Sequence, residues 1–364
     1  MRTKQEQNKV RRRLLYLWFP HFSIERHKRI EIDKRAKQDD FSGIIIIQDR
    51  AGRRVVIASC PLAFQMGVAV GLSLEDALAA CPSLLVFEAD LIADKLAIET
   101  LARWCGRYTP LVSIDKANKG LGNAGIWLDI TGCAHLFGGE ADLLNDIIAR
   151  LTAINWTAFG AISDTPGSAW AVARFSGGVT QLIAPGEQQA ALSELPLSAL
   201  RLPKNTVDDL SKVGLRKISQ LMLVPRAPLR ARFGKNIRLR LDQALGIEKE
   251  TVSPQTLHSP YLARLVLLEP VSNSETIKQI LGHLLPQVIE MLVTRSLGIR
   301  QLRFSLYKID GKVQELKIRT SEVSQNSDVI LRLFSEKIDN YLLDAGVDVV
   351  TLEATETDVI QYKQ

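Results

Sequence analysis

Residues 111–131 read Leu-Val-Ser-Ile-Asp-Lys-Ala-Asn-Lys-Gly-Leu-Gly-Asn-Ala-Gly-Ile-Trp-Leu-Asp-Ile-Thr. Two short apolar runs, Leu111 to Asp115 and Ile126 to Thr131, flank a Lys/Asn/Gly-rich stretch at 116–125, which is the pattern of two strands joined by a hairpin. Before the hairpin, residues 92–108 place Leu96, Ile98, Leu101 and Trp104 at helical spacing, and Leu14 to Phe19 is an apolar run of strand length. After it, a helix is expected over 140–153, a strand from Trp156 to Ile162 and a helix from Pro166 to Phe175. From Leu14 through Ile162 the order is β-α-β-β-α-β, the split βαβ topology of ferredoxin-like sheets, so the fold class is α+β. Residues 23–87 are then an insertion holding strand runs at Ile44 to Ile47 and Arg54 to Ala58. They also hold a helix that Ser73 caps and Pro82 ends.

From about residue 179 the texture changes to short helices punctuated by Pro185-Gly186, Pro196, Pro203, Gly214, Pro225 and Gly234. A polar join at 249–258 leads to a second small α+β module. Its strand runs are Ala263 to Leu267, Leu302 to Ile309, Val313 to Ile318 and Val349 to Ala354, with helices expected over 274–296 and 327–343. Asp310-Gly311 marks a tight hairpin between the middle two.

The chain has 364 residues, 46 Lys+Arg against 40 Asp+Glu, a net charge of +6 and a hydrophobic content of 46%, which excludes disordered and collagen-like classes. The charge is unevenly placed. Residues 1–13 (Arg2, Lys4, Lys9, Arg11, Arg12, Arg13 against Glu6) carry +5, residues 201–240 carry +9, and the remainder is therefore −8. Such clustering points to a polyanion contact, with a solvated helical face as the alternative. Cys60, Cys81, Cys105 and Cys133 lack metal-site spacing and read as small core residues in a reducing cytosol. The apolar run at Leu14 is too short for a signal peptide, and no run approaches the ~20 apolar residues of a membrane span. A cytoplasmic, nucleoid-associated location without membrane contact is expected.

Asp115 and Asp129 sit on adjacent predicted strands, where phosphoryl-transfer enzymes gather carboxylates around two Mg²⁺ ions. Lys116 stands where a second acid is wanted, and Leu14 to Phe19 offers none. A salt-bridged or hairpin-capping Asp is the competing account.

Leu14 to Phe22, Ala58-Ser59-Cys60-Pro61-Leu62-Ala63-Phe64-Gln65-Met66-Gly67-Val68, Ala80-Cys81-Pro82, Arg107-Tyr108-Thr109-Pro110, Ser113-Ile114-Asp115 and Leu128-Asp129-Ile130-Thr131 fall in the order seen in Y-family (translesion) DNA polymerases, which the chain resembles from about residue 13 to its end. The strings at 128–140 and 163–174 resemble more closely the catalytically inactive branch of that family found in the bacterial mutasome. The resemblance implies a right hand with a ferredoxin-like palm (1–22 and 88–178), small fingers (23–87) and a helix-hairpin-helix-like thumb (179–248). A linker (249–258) and a little finger (259–364) follow.

Carried over by position, the family's first-strand metal ligand falls at Trp18, with Ser23 at the aromatic gate. With Glu25 matched to the family's Glu, the two fall instead at Tyr16 and His21. The Asp-Glu pair becomes Asp115-Lys116. The side chains that hold the triphosphate become Ala58, Pro61, Phe64 and Trp170, leaving Asp115 as a remnant and Asp129 as a weak metal candidate. Losing metal ligands and phosphate donors together removes both charge-neutralising devices, so no nucleotidyl transfer and no cofactor are expected, Mg²⁺ entering only with residual activity.

DNA contact is expected from Lys204, Lys212, Arg216, Lys217, Arg230, Arg232, Lys235 and Arg238 of the thumb, whose turn falls at Pro203 to Thr206, and from Arg303 and Lys317 of the little finger. Lys on a solvated strand edge is the other explanation for the last group. By resemblance the chain holds damaged DNA or primer-template in SOS-type, damage-induced mutagenesis. It would recruit an error-prone replicative-type polymerase and a RecA-like accessory protein. A sliding clamp is a further partner of the family, although no clamp peptide is evident in this sequence. The alternatives are a residual translesion polymerase using Asp115 and Asp129, and a protein–protein adaptor that never touches DNA.

Overall fold

The computed structural model describes residues 11–32, 43–116, 122–252, 259–340 and 345–359, which cluster into two compact units: residues 1–99 with 112–255, and residues 100–111 with 256–364. Among the described residues no helix is long and apolar enough to cross a membrane.

In the first unit, β1 (Leu14–Phe19) leads into α1 (Phe22–Ile32), β2 (Ile44–Arg50), β3 (Arg53–Ser59), α2 (Pro61–Gln65), α3 (Leu74–Ala80) and β4 (Leu85–Glu88). Then come α4 (Leu91–Cys105), β5 (Val112–Ile114), β6 (Ala124–Asp129), α5 (Glu140–Ala153), β7 (Phe159–Ser163), α6 (Pro166–Phe175) and β8 (Gln181–Leu182). The main sheet runs β5-β6-β1-β7-β8, with β1 central and antiparallel to both β6 and β7. The hairpin read from residues 111–131 is therefore present and gives the ferredoxin-like order. The strand expected to begin at Trp156 begins at Phe159, because Asn155 closes α5 in the left-handed region (φ 58°) and Trp156 turns inward to stack on Phe22 at 4.9 Å. The insertion forms its own sheet, β3-β2-β4, in which β4 lies parallel to β2.

Five short helices complete the unit: α7 (Gln188–Ser193), α8 (Lys204–Lys212), α9 (Ile218–Leu223), α10 (Arg226–Phe233) and α11 (Asn236–Leu245). They share an apolar core with α6, including Trp170, Val172, Leu197, Leu210, Leu221, Leu229 and Leu241. Helices α6 and α11 approach so closely that a Cβ on Gly167 would lie 2.8 Å from the Ala244 Cα, and Thr165, which caps α6, also donates its hydroxyl to the Ala244 carbonyl at 2.7 Å.

The second unit contains β9 (Leu262–Val271), α12 (Ser274–Val293), β10 (Leu297–Lys308), β11 (Val313–Ser324), α13 (Ser327–Asp339) and β12 (Val347–Val359). The linear order repeats β-α-β-β-α-β, but the strands arrange as β11-β10-β12-β9, so the last strand lies between the first and second. Asn273 and Asn326 cap the two helices, which bury Ile277, Leu284, Val288 and Phe334 against Leu302, Phe304 and Leu352. Gly311 turns the expected hairpin at φ 83°.

Residues 100–111, assigned from sequence to the palm, cluster with this second unit. The reason is a buried ion pair: Arg107 (3% exposed) binds Asp348 (7% exposed), and Arg264 donates to the Arg107 carbonyl. Cys60, Cys81 and Cys105 are buried and Cys133 half-buried, all as free thiols. Removing one partner of a buried pair leaves the other desolvated and uncompensated, so Asp348→Ala should destabilise the protein by about 3–5 kcal/mol, read as a lowered urea midpoint at unchanged slope.

Candidate functional site

Asp115 lies just beyond β5, and its backbone N–H donates to the Gly125 carbonyl at 2.9 Å across the hairpin. Its Oδ2 accepts from the Tyr16 hydroxyl at 2.8 Å and from Trp170 Nε1 at 3.2 Å. Tyr16 projects from the central strand and packs on Trp127, with ring centroids 4.4 Å apart, and Trp170 lies 6.5 Å from Tyr16 on the other side. The Arg174 guanidinium stacks 4.7 Å from the Trp170 ring and 5.1 Å from that of Trp18, and Arg201 lies 5.7 Å from Trp170. Glycine at 125 makes this possible. A Cβ there would sit 2.1 Å from the Tyr16 hydroxyl oxygen.

Of the two residues that the sequence registers place at the first-strand acid, Tyr16 and not Trp18 meets Asp115. Trp18, two residues on, pairs with Gly125 and Phe159 in the sheet and packs on Phe159 and Arg174. In that register the gate position falls at His21, whose pKa burial and the charge of Lys28 push down. Ser23 is instead structural, donating to Asp94 at 2.6 Å.

A metal pair does not fit these residues. The Asp115 oxygen that would meet a cation receives two neutral donors, a phenol replaces the first acid, and Lys116 replaces the next. Among the described residues no three acid, histidine or cysteine side chains converge. Asp129 is not close enough to help. It stands four residues along β6 from Gly125, about 13 Å at 3.3 Å per residue, whereas ions sharing ligands lie about 3.5–4 Å apart. Its carboxylate binds Arg12 at 3.0 Å and the Thr131 hydroxyl at 2.6 Å. The reading of Asp129 as a weak metal candidate is thereby corrected to a strand-end ion pair.

The triphosphate positions are also structural. Ala58 is buried under Gly122, where a Cβ would come within 2.4 Å of its own. Pro61 opens α2 behind the Cys60 cap, and Phe64 on the same helix is exposed.

The basic clusters divide. In the N-terminal arm, residues 1–10 lie outside the described residues. Arg13 is buried, binding Glu140 and Asp164 at 2.6 Å each, so this part of the arm serves the fold. In the thumb, Lys204, Arg216, Arg230, Arg232 and Lys235 are exposed and, among the described residues, form no ion pair. Lys212 pairs with Asp209 at 2.7 Å, Lys217 with Glu194 at 2.6 Å and Arg238 with Asp242 at 2.9 Å.

The expected thumb turn at Pro203 to Thr206 lies elsewhere. Lys204 already starts α8, and the chain reverses at Arg201, a non-glycine residue at φ 57° whose side chain is tied to Glu250 at 2.7 Å. In the second unit Arg303 reaches Glu353 and Glu315 and is only 16% exposed, which spends its charge inside the sheet. Lys317 remains exposed beside Glu315 at 3.3 Å.

With this geometry in hand, the comparisons with known proteins are specific. Residues 38–174 match the impB/mucB/samB family. Protein ImuB of Caulobacter vibrioides is 37% identical over 289 residues, covering 79% of this chain and 62% of that protein. The chain is similar to ImuB over most of its own length. It thus spans less than two thirds of the length of the ImuB proteins it matches. DNA polymerase IV of Shewanella frigidimarina is 27% identical, covering 88% of this chain and 91% of that one. In fold the chain is like solved DNA polymerases. DinB from Sulfolobus solfataricus superposes with a TM-score of 0.55 and the insertion ternary complex of Dbh DNA polymerase with 0.56, each at 14% identity over 96% of this chain and 100% of the other.

Sequence reasoning had no handle on Gly125, Arg174 or Arg201, because cross-strand clearance and cation–π stacking leave no local motif. The fit of Tyr16 against Gly125 has a direct test. Gly125→Ala should destabilise the protein by about 1–3 kcal/mol by displacing Tyr16, and the cost should shrink in a Tyr16→Ala background, a coupling measured by a double-mutant cycle in urea.

Proposed function

We propose that this protein is a DNA-binding scaffold of damage tolerance, shaped like a Y-family polymerase and without nucleotidyl transfer. The observation that carries this reading is the Asp115 carboxylate held by Tyr16 and Trp170, with Lys116 beside it, in a palm whose thumb keeps five open cations. Catalysis at such a centre requires two divalent ions and neutralisation of the triphosphate, and the side chains at those positions supply neither. Binding requires only phosphate contacts, which exposed lysines and arginines provide.

By its resemblance and its similarity to ImuB, the scaffold would hold damaged or primer-template DNA, recruit an error-prone polymerase and work with a RecA-like accessory protein. A sliding clamp is a further candidate partner. The cytoplasm, near the nucleoid, is the location consistent with that role.

Two measurements test the proposal. Primer extension with Mg²⁺ or Mn²⁺ should show no template-directed incorporation, and incorporation abolished by Asp115→Ala would overturn the reading. Duplex binding should weaken with salt by a log–log slope of about −0.9 per phosphate contact, and reversing Arg230, Arg232 and Lys235 to Glu should flatten that slope by roughly 3. An unchanged slope in the triple variant would reject the thumb as the DNA grip.

A further inference from the structure

Glu250, at the head of the polar join, is gripped by three arginines. Its carboxylate accepts from Arg201 Nη2 at 2.7 Å and from Arg240 Nη1 at 3.2 Å, and its carbonyl from Arg12 Nη1 at 3.2 Å. Arg12 comes from the N-terminal basic cluster and the other two from residues 201–240, so the two clusters meet on one residue. Arg201 also covers the Trp170 ring, whereas Arg12 holds Asp129 at 3.0 Å and Arg240 holds Gln243 at 3.3 Å.

Two features set this contact apart from an ordinary structural ion pair. The first is a surplus of donors. Arg201 and Arg240 each meet the carboxylate through one N–H, although a guanidinium is a fork built for two parallel bonds to an oxyanion. The Nε–H groups of both are buried and, among the described residues, have no acceptor. Two carboxylate oxygens leave this set incompletely used, and a tetrahedral phosphate, with more oxygens spread over a wider angle, satisfies more of it.

The second is the backbone that carries the acid. The Glu250 side chain is only 11% exposed, yet the residue lies between α11 and β9 in no helix or strand. Gly246 to Lys249 before it and Thr251 after it are exposed. Withdrawing Glu250 therefore unravels no element. Once it has left, the three guanidinium groups are balanced by Asp129 alone, three positive charges against one, and the net of +2 attracts a phosphate group.

We propose that Arg201 and Arg240, flanked by Arg12, form a phosphate-type anion site whose resident internal ligand is the Glu250 carboxylate. A phosphate group displaces Glu250, takes the forks of Arg201 and Arg240, and releases residues 249–252 from the thumb. The site is thus closed by its own chain until a phosphate competes for it.

The test uses the full chain and compares Glu250→Ala with Glu248→Ala, which removes the same charge from an exposed position two residues away. Inorganic pyrophosphate is titrated by calorimetry and duplex DNA by fluorescence anisotropy, both at fixed ionic strength. A site closed about nine-tenths of the time masks about tenfold in affinity. Glu250→Ala should therefore bind pyrophosphate about tenfold more tightly than Glu248→Ala, and adding Arg240→Gln should abolish the gain. The DNA arm gives the source of the phosphate and rests on the scaffold reading, which the pyrophosphate arm does not need. A matching gain for DNA identifies its backbone as the ligand, and a gain for pyrophosphate alone identifies a free phosphate compound. Pyrophosphate should also raise the melting temperature of the wild type and not that of Arg240→Gln, a comparison that holds even where Glu250→Ala folds poorly. Equal pyrophosphate affinities of the two alanine variants, a gain that survives Arg240→Gln, or a melting temperature shifted equally or not at all in wild type and Arg240→Gln would each overturn the proposal. A flattened salt slope in the thumb triple variant would then leave the DNA reading standing without this site.

Discussion

A half-buried carboxylate just beyond a sheet's edge strand must be satisfied by something, and in this protein Asp115 accepts from a phenol and an indole. Everything around it follows from that requirement. Tyr16 needs a clear path across β6, which Gly125 provides. Trp170 needs its ring face covered, and Arg174 and Arg201 cover it. Asp115 is thus the anchor of an aromatic plug that joins the sheet to α6 and, through Arg201, to the helices of the thumb.

The thumb shows a second economy. Of its predicted DNA contacts, Lys212, Lys217 and Arg238 are matched by nearby acids, whereas Lys204, Arg216, Arg230, Arg232 and Lys235 are left open to solvent. Exposed ion pairs stabilise a fold only weakly, so the pairing is better understood as trimming the field to one face than as reinforcing the helices. On the sheet of the second unit the trimming goes further, with Arg303, Lys317 and Arg319 each beside a glutamate.

Much of the fold was legible because hydrophobic periodicity and capping residues are local. The hairpin at 111–131, α5, α6 and the β10–β11 turn at Asp310-Gly311 sit where pattern places them. The missing acids were legible too, since Lys116 and the apolar run of β1 can be read from residue identity alone. What could not be read depends on the third dimension. The choice between Tyr16 and Trp18 is a matter of which ring clears Gly125. The loss of Asp129 as a metal candidate follows from its distance along β6. The fate of Arg13 turns on Glu140 and Asp164, and that of Arg303 chiefly on Glu353, all of them remote in sequence. The reversal at Arg201 was hidden because a left-handed arginine carries no turn signature.

The buried pair between Arg107 and Asp348 bears on how the chain can be taken apart. Sequence puts a natural cut in the polar join near 249–258, yet the C-terminal unit completes itself with residues 100–111, which lie far upstream. A fragment beginning after the join would bury Asp348 without Arg107, and one ending before the join would carry Arg107 without Asp348. The modules are separable on paper by function and inseparable in the chain by electrostatics. Dissection into an N-terminal and a C-terminal half would therefore yield two damaged pieces, and grafting experiments should carry 100–111 along with the C-terminal unit.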